Sequence, residues 1–138
     1  MLQNFNVRWK ATLLSLAVVV FAGLYSKHYH GPASSWVHDS LGGVFYDIFW
    51  CVFFSAVLPQ ANPGKLAATV LAATCCIEFL QLWHPPFLEA IRGTFAGAAI
   101  LGSTFDWTDF PYYFIGSWIG WQWVGRWEVR KKKLRSTS

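Results

Sequence analysis

Four apolar runs divide the chain and leave it few folds to adopt. They read WKATLLSLAVVVFAGLY (9–25), LGGVFYDIFWCVFFSAVL (41–58), LAATVLAATCCIEFLQLW (66–83) and YYFIGSWIGWQWVGRW (112–127). Each is at or slightly below the ~20 residues that cross a bilayer core at about 1.5 Å per residue. Chain inside lipid must satisfy its own backbone hydrogen bonds, and a single run can do so only as a helix. Only 13% of the residues are charged. An ordinary soluble domain has about twice that share, and a soluble fold would have too little polar surface to cover so large a core. The predicted fold is therefore all-α: one domain, 1–138, built as an integral membrane bundle of four transmembrane helices. Trp9, Tyr25, Trp36, Tyr46, Trp83, Trp107, Tyr112, Tyr113 and Trp127 cluster at the ends of the runs, where the lipid–water interface favours amphipathic rings.

The links between runs are legible too. PQANPGK (59–65) holds two prolines and a glycine and predicts a tight turn. SKHYHGPASSWVHDS (26–40) is polar and turn-rich and predicts a connector. The link His84–Pro111 contains TFAGAAILGSTF (94–105), apolar but too short to cross. It predicts a short re-entrant or interfacial element before the last helix, packed through Gly93, Gly97 and Gly102. A fifth span is the alternative, and it would move the C-terminus to the other side. The first run follows Arg8 and Lys10 and passes through VFA at Ala22, the outline of a signal peptide. Retention is expected, because the later helices need a first one to pack against.

Charge sets the orientation. Four spans put Arg8, Lys10, Lys65, Arg126, Arg130, Lys131, Lys132, Lys133 and Arg135 on one side, and Lys27 and Arg92 on the other. By the positive-inside rule both termini are cytoplasmic. The basic tail 128–138 then reads as an anchor beside anionic lipid, not as a nucleic-acid contact. Cys51, Cys75 and Cys76 lie inside spans without zinc spacing, and no Walker A, HExxH or GxSxG pattern occurs. His28, His30, His38 and His84 read as ordinary exterior histidines. No metal and no cofactor is expected.

The informative residues are polar ones where they cost energy. Asp39, Asp47, Glu78, Glu89, Asp106 and Asp109 fall on the exterior side or at its boundary, and only Glu128 on the other. Glu78 is five residues before Trp83, roughly 7–8 Å below the end of a helix running that far. Gln81 and His84 follow on nearly the same face. An unpaired carboxylate at such depth costs a few kcal/mol, so it faces a partner or a water-filled pocket. Arg92 is the lone exterior guanidinium, cannot shed its charge, and needs partners if buried. The expectation is a hydrogen bond from Arg92 to Glu78, Asp106 or Asp109, with Glu89 left solvated. Polar glue between helices remains open as the alternative.

GLYSK (23–27), YDIFW (46–50), IEFLQLW (77–83), IRGTFAG (91–97) and LGSTFDWTDFPYYFIG (101–116) occur in this order. Over about residues 8–120 the chain resembles the small bacterial membrane proteins of domain-of-unknown-function family 2809. It is more distantly similar to the VanZ-like family, with an Asp opening the second span, E-x-x-Q ending the third, an Arg, then D-x-x-D before the last. The resemblance implies a multi-pass protein of the bacterial inner (cytoplasmic) membrane with an envelope-facing role. Carried over by motif, its site residues are Asp47, Glu78, Gln81, Arg92, Asp106, Asp109 and Tyr113, with Gly116. Lys27 stands where relatives often have Arg, and a lysine is not a bidentate fork.

Three functions are compatible with these readings. A mixed Arg, carboxylate and amide pocket at headgroup depth suits a zwitterionic or sugar-phosphate lipid headgroup or an envelope precursor. Small-residue faces such as LAATVLAATCC and the Gly116/Gly120 pair suit an accessory subunit of a larger membrane complex. Glu78 or Asp109 as a general base would suit an enzyme acting on a lipid-linked substrate, though no nucleophile motif accompanies them. The expected partners are membrane lipids, with a homo-oligomer or larger complex around them, and no nucleic acid. Four short spans without an inverted repeat offer little for alternating access.

Overall fold

The computed structural model describes residues 2–137, and the side chains of 9–130, 132, 133, 136 and 137. Arg8, Lys131 and Arg135 of the basic set therefore lie outside the described side chains. Among the described residues the chain is helical throughout, without a strand. The helices are α1 (Leu2–His28), α2 (Ser34–Val57, with a π-helical stretch at Val37–Leu41), α3 (Pro63–Leu80), α4 (Pro86–Arg92), α5 (Phe95–Leu101) and α6 (Asp109–Ser136).

Local chemistry sets the ends. Asn62 caps α3, its Oδ1 accepting from the N–H groups of Gly64 (2.9 Å) and Lys65 (3.2 Å), with Pro63 following it in the first turn. Pro85 and Pro86 end the turn after α3 and start α4. Thr94 Oγ1 accepts from Gly97 N–H at 3.0 Å and starts α5. Gly102 ends α5 at φ 66°, ψ 174°, a region open almost only to glycine.

Contacts fix the directions. Lys27 reaches His38 and Gly23 faces Phe45, so α1 and α2 are antiparallel. Trp36 pairs with Tyr112, Gly116 lies against Val44 and Gly120 against Cys51, so α2 and α6 run parallel in close contact. A Cβ on Gly116 would sit 2.6 Å from Val44 O, and one on Gly120 2.7 Å from Cys51 Cβ. The two glycines let the helices approach, as small residues do in membrane bundles. Glu78 meets Tyr113, so α3 opposes α6. The His28 end of α1, the start of α2, the end of α3, α4, α5 and the start of α6 thus gather at one end. Lys65 and the basic second half of α6 lie at the other.

Packing is inverted relative to a soluble domain. Val19, Val44, Ile48 and Val52 form one small apolar cluster, and Cys51, Ala67 and Val70 another. Thr12, Ser40, Asp47, Ser55, Thr74, Glu78, Gln81, Arg92 and Ser117 are buried beside them. Leu13, Leu14, Phe21, Phe54, Phe114, Trp118 and Trp121 face outward. In water that arrangement wastes apolar area; in lipid it does not. Trp9–His28, Ser34–Val57 and Pro63–Leu80 are long and apolar enough to cross a membrane. The chain therefore reads as a membrane protein. α6 is 28 residues long but lies outside that set, being rich in Trp, Tyr and basic residues.

Several boundaries differ from expectation. The polar connector 26–40 is mostly helix: α1 runs to His28 and α2 begins at Ser34. Helix propensity is a weak prior that tertiary contacts override. Here Trp36 donates to Tyr112 OH at 2.7 Å, and Lys27 Nζ to His38 O at 2.8 Å. The third helix ends at Leu80, ahead of Trp83, because the chain turns there to meet Arg92. The link before α6 holds two short helices, α4 and α5. Of its three glycines Gly97 is buried, whereas Gly93 is exposed. The basic tail continues α6 as helix to Ser136.

Candidate functional site

Two buried carboxylates lie one helical turn apart where α2, α3 and α6 meet. Asp47, fully buried, accepts from Thr74 Oγ1 at 2.7 Å and from Ser117 Oγ at 2.6 Å, one on each oxygen. Glu78, 1% exposed, accepts from Tyr113 OH (2.7 Å) and Gln81 Nε2 (3.1 Å) on Oε2, and from Asp106 N–H (2.9 Å) on Oε1. Three donors and no acceptor is the set a carboxylate takes. The spacing is i, i+4 on each helix: Gly43 and Asp47, Thr74 and Glu78, Tyr113 and Ser117. Gly43 makes room for the Tyr113 ring, since a Cβ there would lie 2.8 Å from Cε1. The rungs pin three helices in register, and Glu78 also ties down the segment that precedes α6.

Above the Glu78 rung a cleft of about 550 Å³ opens at the end of the bundle away from the basic tail. Lys27, Asp39, Gly42, Gly43 and Tyr46 line one side. Thr74, Glu78, Gln81, the α5 residues Ala98–Leu101, Gly102–Thr104, Asp106, Asp109 and Tyr113 line the rest. The π-helical stretch contributes Asp39 to this rim and gives the His38 carbonyl to Lys27; such stretches are frequent at functional sites. Tyr46 OH donates to Ile100 O at 2.7 Å and holds α5 across the cleft. Asp109 stands ahead of the 112–127 run. Burial, then the nearby Glu78, Asp106 and Asp39 carboxylates, push it up to about 6, with Lys27 pulling the other way. Asp106, exposed, is held below the usual carboxylate range by hydrogen bonds from Thr108. Gln81 is 5% exposed, and its Oε1 has no hydrogen-bond partner.

Arg92 is elsewhere. Its Nη1 donates to Trp83 O (2.9 Å) and Glu89 Oε1 (2.8 Å), and its Nη2 to Leu80 O (2.8 Å). The expected bond to Glu78, Asp106 or Asp109 does not form. The physical reason is the end of α3: a helix C-terminus leaves carbonyls unsatisfied and carries partial negative charge, so a nearby cation caps it. Glu89, expected to be solvated alone, is the ion-pair partner, half-exposed and bridged to His84 Nδ1 at 2.8 Å. Hydrogen bonds from His84, then from Arg92, hold the Glu89 carboxyl low.

Of the residues expected to share a pocket, the cleft collects Glu78, Gln81, Asp106, Asp109 and Tyr113. Asp47 lies one turn deeper with both oxygens occupied, and Arg92 clips the outside of the turn. Sequence reasoning did not pick out Thr74, Ser117 and Asp39 as site residues. The first two were findable, four residues from Glu78 and Tyr113 on the same faces. Among the described residues no group of three or more His, Cys, Asp or Glu is placed to hold a metal ion.

A family model described as a protein of unknown function, DUF2809, matches residues 32–117, which include both rungs and every acid of the cleft. No solved structure matches the chain.

Proposed function

We propose a function for this chain, which belongs to the DUF2809 family of proteins of unknown function, from the cleft itself: it binds the polar headgroup of an envelope lipid or lipid-linked precursor. In this reading α6 is the fourth span, both termini lie on the cytoplasmic side of a bacterial inner membrane, and α4 and α5 sit at the outer interface. The basic residues at the far end of the bundle support that orientation. An envelope-facing role is also what the order of motifs, read as a resemblance to VanZ-like proteins, implies.

The observation that carries the reading is the cleft's position and lining. It is large enough for a headgroup, lies at the end of an apolar bundle, and has charged walls; with the apolar helices crossing a bilayer, that end falls toward the headgroup layer. With Arg92 engaged at α3, the cation available to a phosphate is Lys27. The test is native mass spectrometry of the purified chain, compared with A99W, which puts an indole into the cleft from α5. Wild type should keep phospholipid through detergent exchange and A99W should lose it. Equal retention by the two rules the cleft out as the binding site.

A further inference from the structure

The lining of the cleft is unbalanced, and the imbalance narrows the ligand. Four carboxylates face it (Asp39, Glu78, Asp106 and Asp109) against one ammonium, Lys27. Glu78 already accepts from three donors, and Asp106 Oδ1 accepts from Thr108 N–H at 2.8 Å. Asp39 and Asp109 accept no hydrogen bond from the described residues. Gln81 is an observation independent of the acids. It is buried, it lines the cleft, and its Oε1 lacks a donor. A buried amide oxygen without a donor is a cost that an incoming N–H or O–H removes. The open positions are thus acceptors, and the ligand must bring donors and positive charge. Lys27 Nζ spends one of its three donors on His38 O and keeps the others for an anion.

Resting on the headgroup reading above, we propose that the cleft selects a headgroup carrying a primary ammonium next to a phosphate, the chemistry of phosphoethanolamine. The ammonium is set among Asp109, Asp39 and the Gln81 amide oxygen, and the phosphate at Lys27. A primary ammonium supplies three N–H donors. A quaternary trimethylammonium supplies none and is recognised by aromatic cages, whereas the rings lining this cleft are Tyr46 and Tyr113, whose hydroxyls are committed to Ile100 O and Glu78. A glycerol headgroup offers hydroxyl donors but leaves the lipid a net anion against four carboxylates.

The experiment offers the detergent-purified full chain an equimolar mixture of phosphatidylethanolamine, phosphatidylcholine and phosphatidylglycerol of one acyl composition, and reads the bound species by native mass spectrometry. Phosphatidylethanolamine should exceed each of the others by about tenfold, the worth of one charge-assisted hydrogen bond. D109N should bring that ratio toward one while leaving total lipid bound. K27A should lower all three lipids together without changing the ratio, a control independent of the acids. Retention by wild type without preference for phosphatidylethanolamine, or with preference for phosphatidylglycerol, overturns the ammonium assignment and leaves headgroup binding standing. Wild type that binds no more of any lipid than A99W overturns headgroup binding itself, and the assignment with it.

Discussion

Removing the Tyr113 hydroxyl tests the Glu78 rung most directly. Y113F keeps the ring in the space that Gly43 opens and deletes one donor, the 2.7 Å bond to Glu78 Oε2. Glu78 then keeps Gln81 Nε2 and Asp106 N–H. A hydrogen bond to a charged acceptor is worth about 1.5–3 kcal/mol in water-soluble proteins, whereas interhelical bonds in bilayers average about 0.6 kcal/mol with a maximum near 1.7. A charged acceptor in a membrane bundle places Y113F between these, at about 1–2 kcal/mol. E78Q keeps the shape but turns one oxygen into an NH₂ that faces either the Asp106 N–H or the Oε2 donors, leaving at least one pair of donors opposed. Its cost should be about 1–3 kcal/mol. Because both variants break the same bond, E78Q/Y113F should be less destabilised than the sum by about 1 kcal/mol. Equilibrium unfolding in mixed micelles, followed through the chain's nine tryptophans, measures all three. Additivity within about 0.3 kcal/mol would mean that Tyr113 and Glu78 are not energetically paired, and the rung would be refuted.

R92A should destabilise the chain by about 2–4 kcal/mol, because the Leu80 and Trp83 carbonyls lose a charged cap. E89A should cost less, since Glu89 is half-exposed; the same unfolding assay compares them, and an equal loss from both would place the energy in the ion pair instead. G102A should cost about 1–3 kcal/mol, from a backbone region alanine avoids, with its Cβ 2.5 Å from Gln81 Nε2; a neutral result would mean the end of α5 relaxes freely. D109N reads out the titration of Asp109. Burial and the neighbouring carboxylates push its carboxyl up to about 6 in the folded chain, above the ordinary 3.8, so the folded chain binds the extra proton between those pH values and wild type loses stability as pH rises through them. D109N should remove that component, so its stability relative to wild type should increase from pH 4 to pH 6.5. A pH-independent difference would show that the Glu78, Asp106, Asp39 and Lys27 surroundings do not shift Asp109.

Much of the bundle was legible because lipid demands long apolar runs, and three of the four runs fall largely, though not wholly, in helices with the length and apolarity of spans, the run 66–83 overshooting its helix by three residues. Glu78 was legible for the same reason, since a carboxylate in an apolar run needs an explanation, whereas nothing set Asp39 apart as a site residue. Arg92 misled because charge complementarity says only that a guanidinium wants anions. It does not count the backbone carbonyls left open where α3 stops at Leu80, and those lie closer than the pocket acids. The 26–40 connector misled because Ser, His and Gly argue for a turn, whereas its helix is held by Lys27 across the turn and by Tyr112, far away in sequence. Thr74 and Ser117 carry no charge and no motif. Only their spacing, four residues from Glu78 and Tyr113, hinted at the rung they make with Asp47.

The rungs also bear on how the chain is made. Helices leave the ribosome in order, so in the proposed four-span reading α2 enters the bilayer before α3 and long before α6. During that interval Asp47 has neither Thr74 nor Ser117, and a bare carboxylate near the middle of an inserting helix costs about 2.5–3.5 kcal/mol. The aromatic and aliphatic residues around it in YDIFWCVFF must outweigh that debt. Glu78 then waits for Tyr113, which arrives with the last helix. In that reading insertion passes through incompletely solvated intermediates, and the final helix brings each acid one more donor, Ser117 to Asp47 and Tyr113 to Glu78.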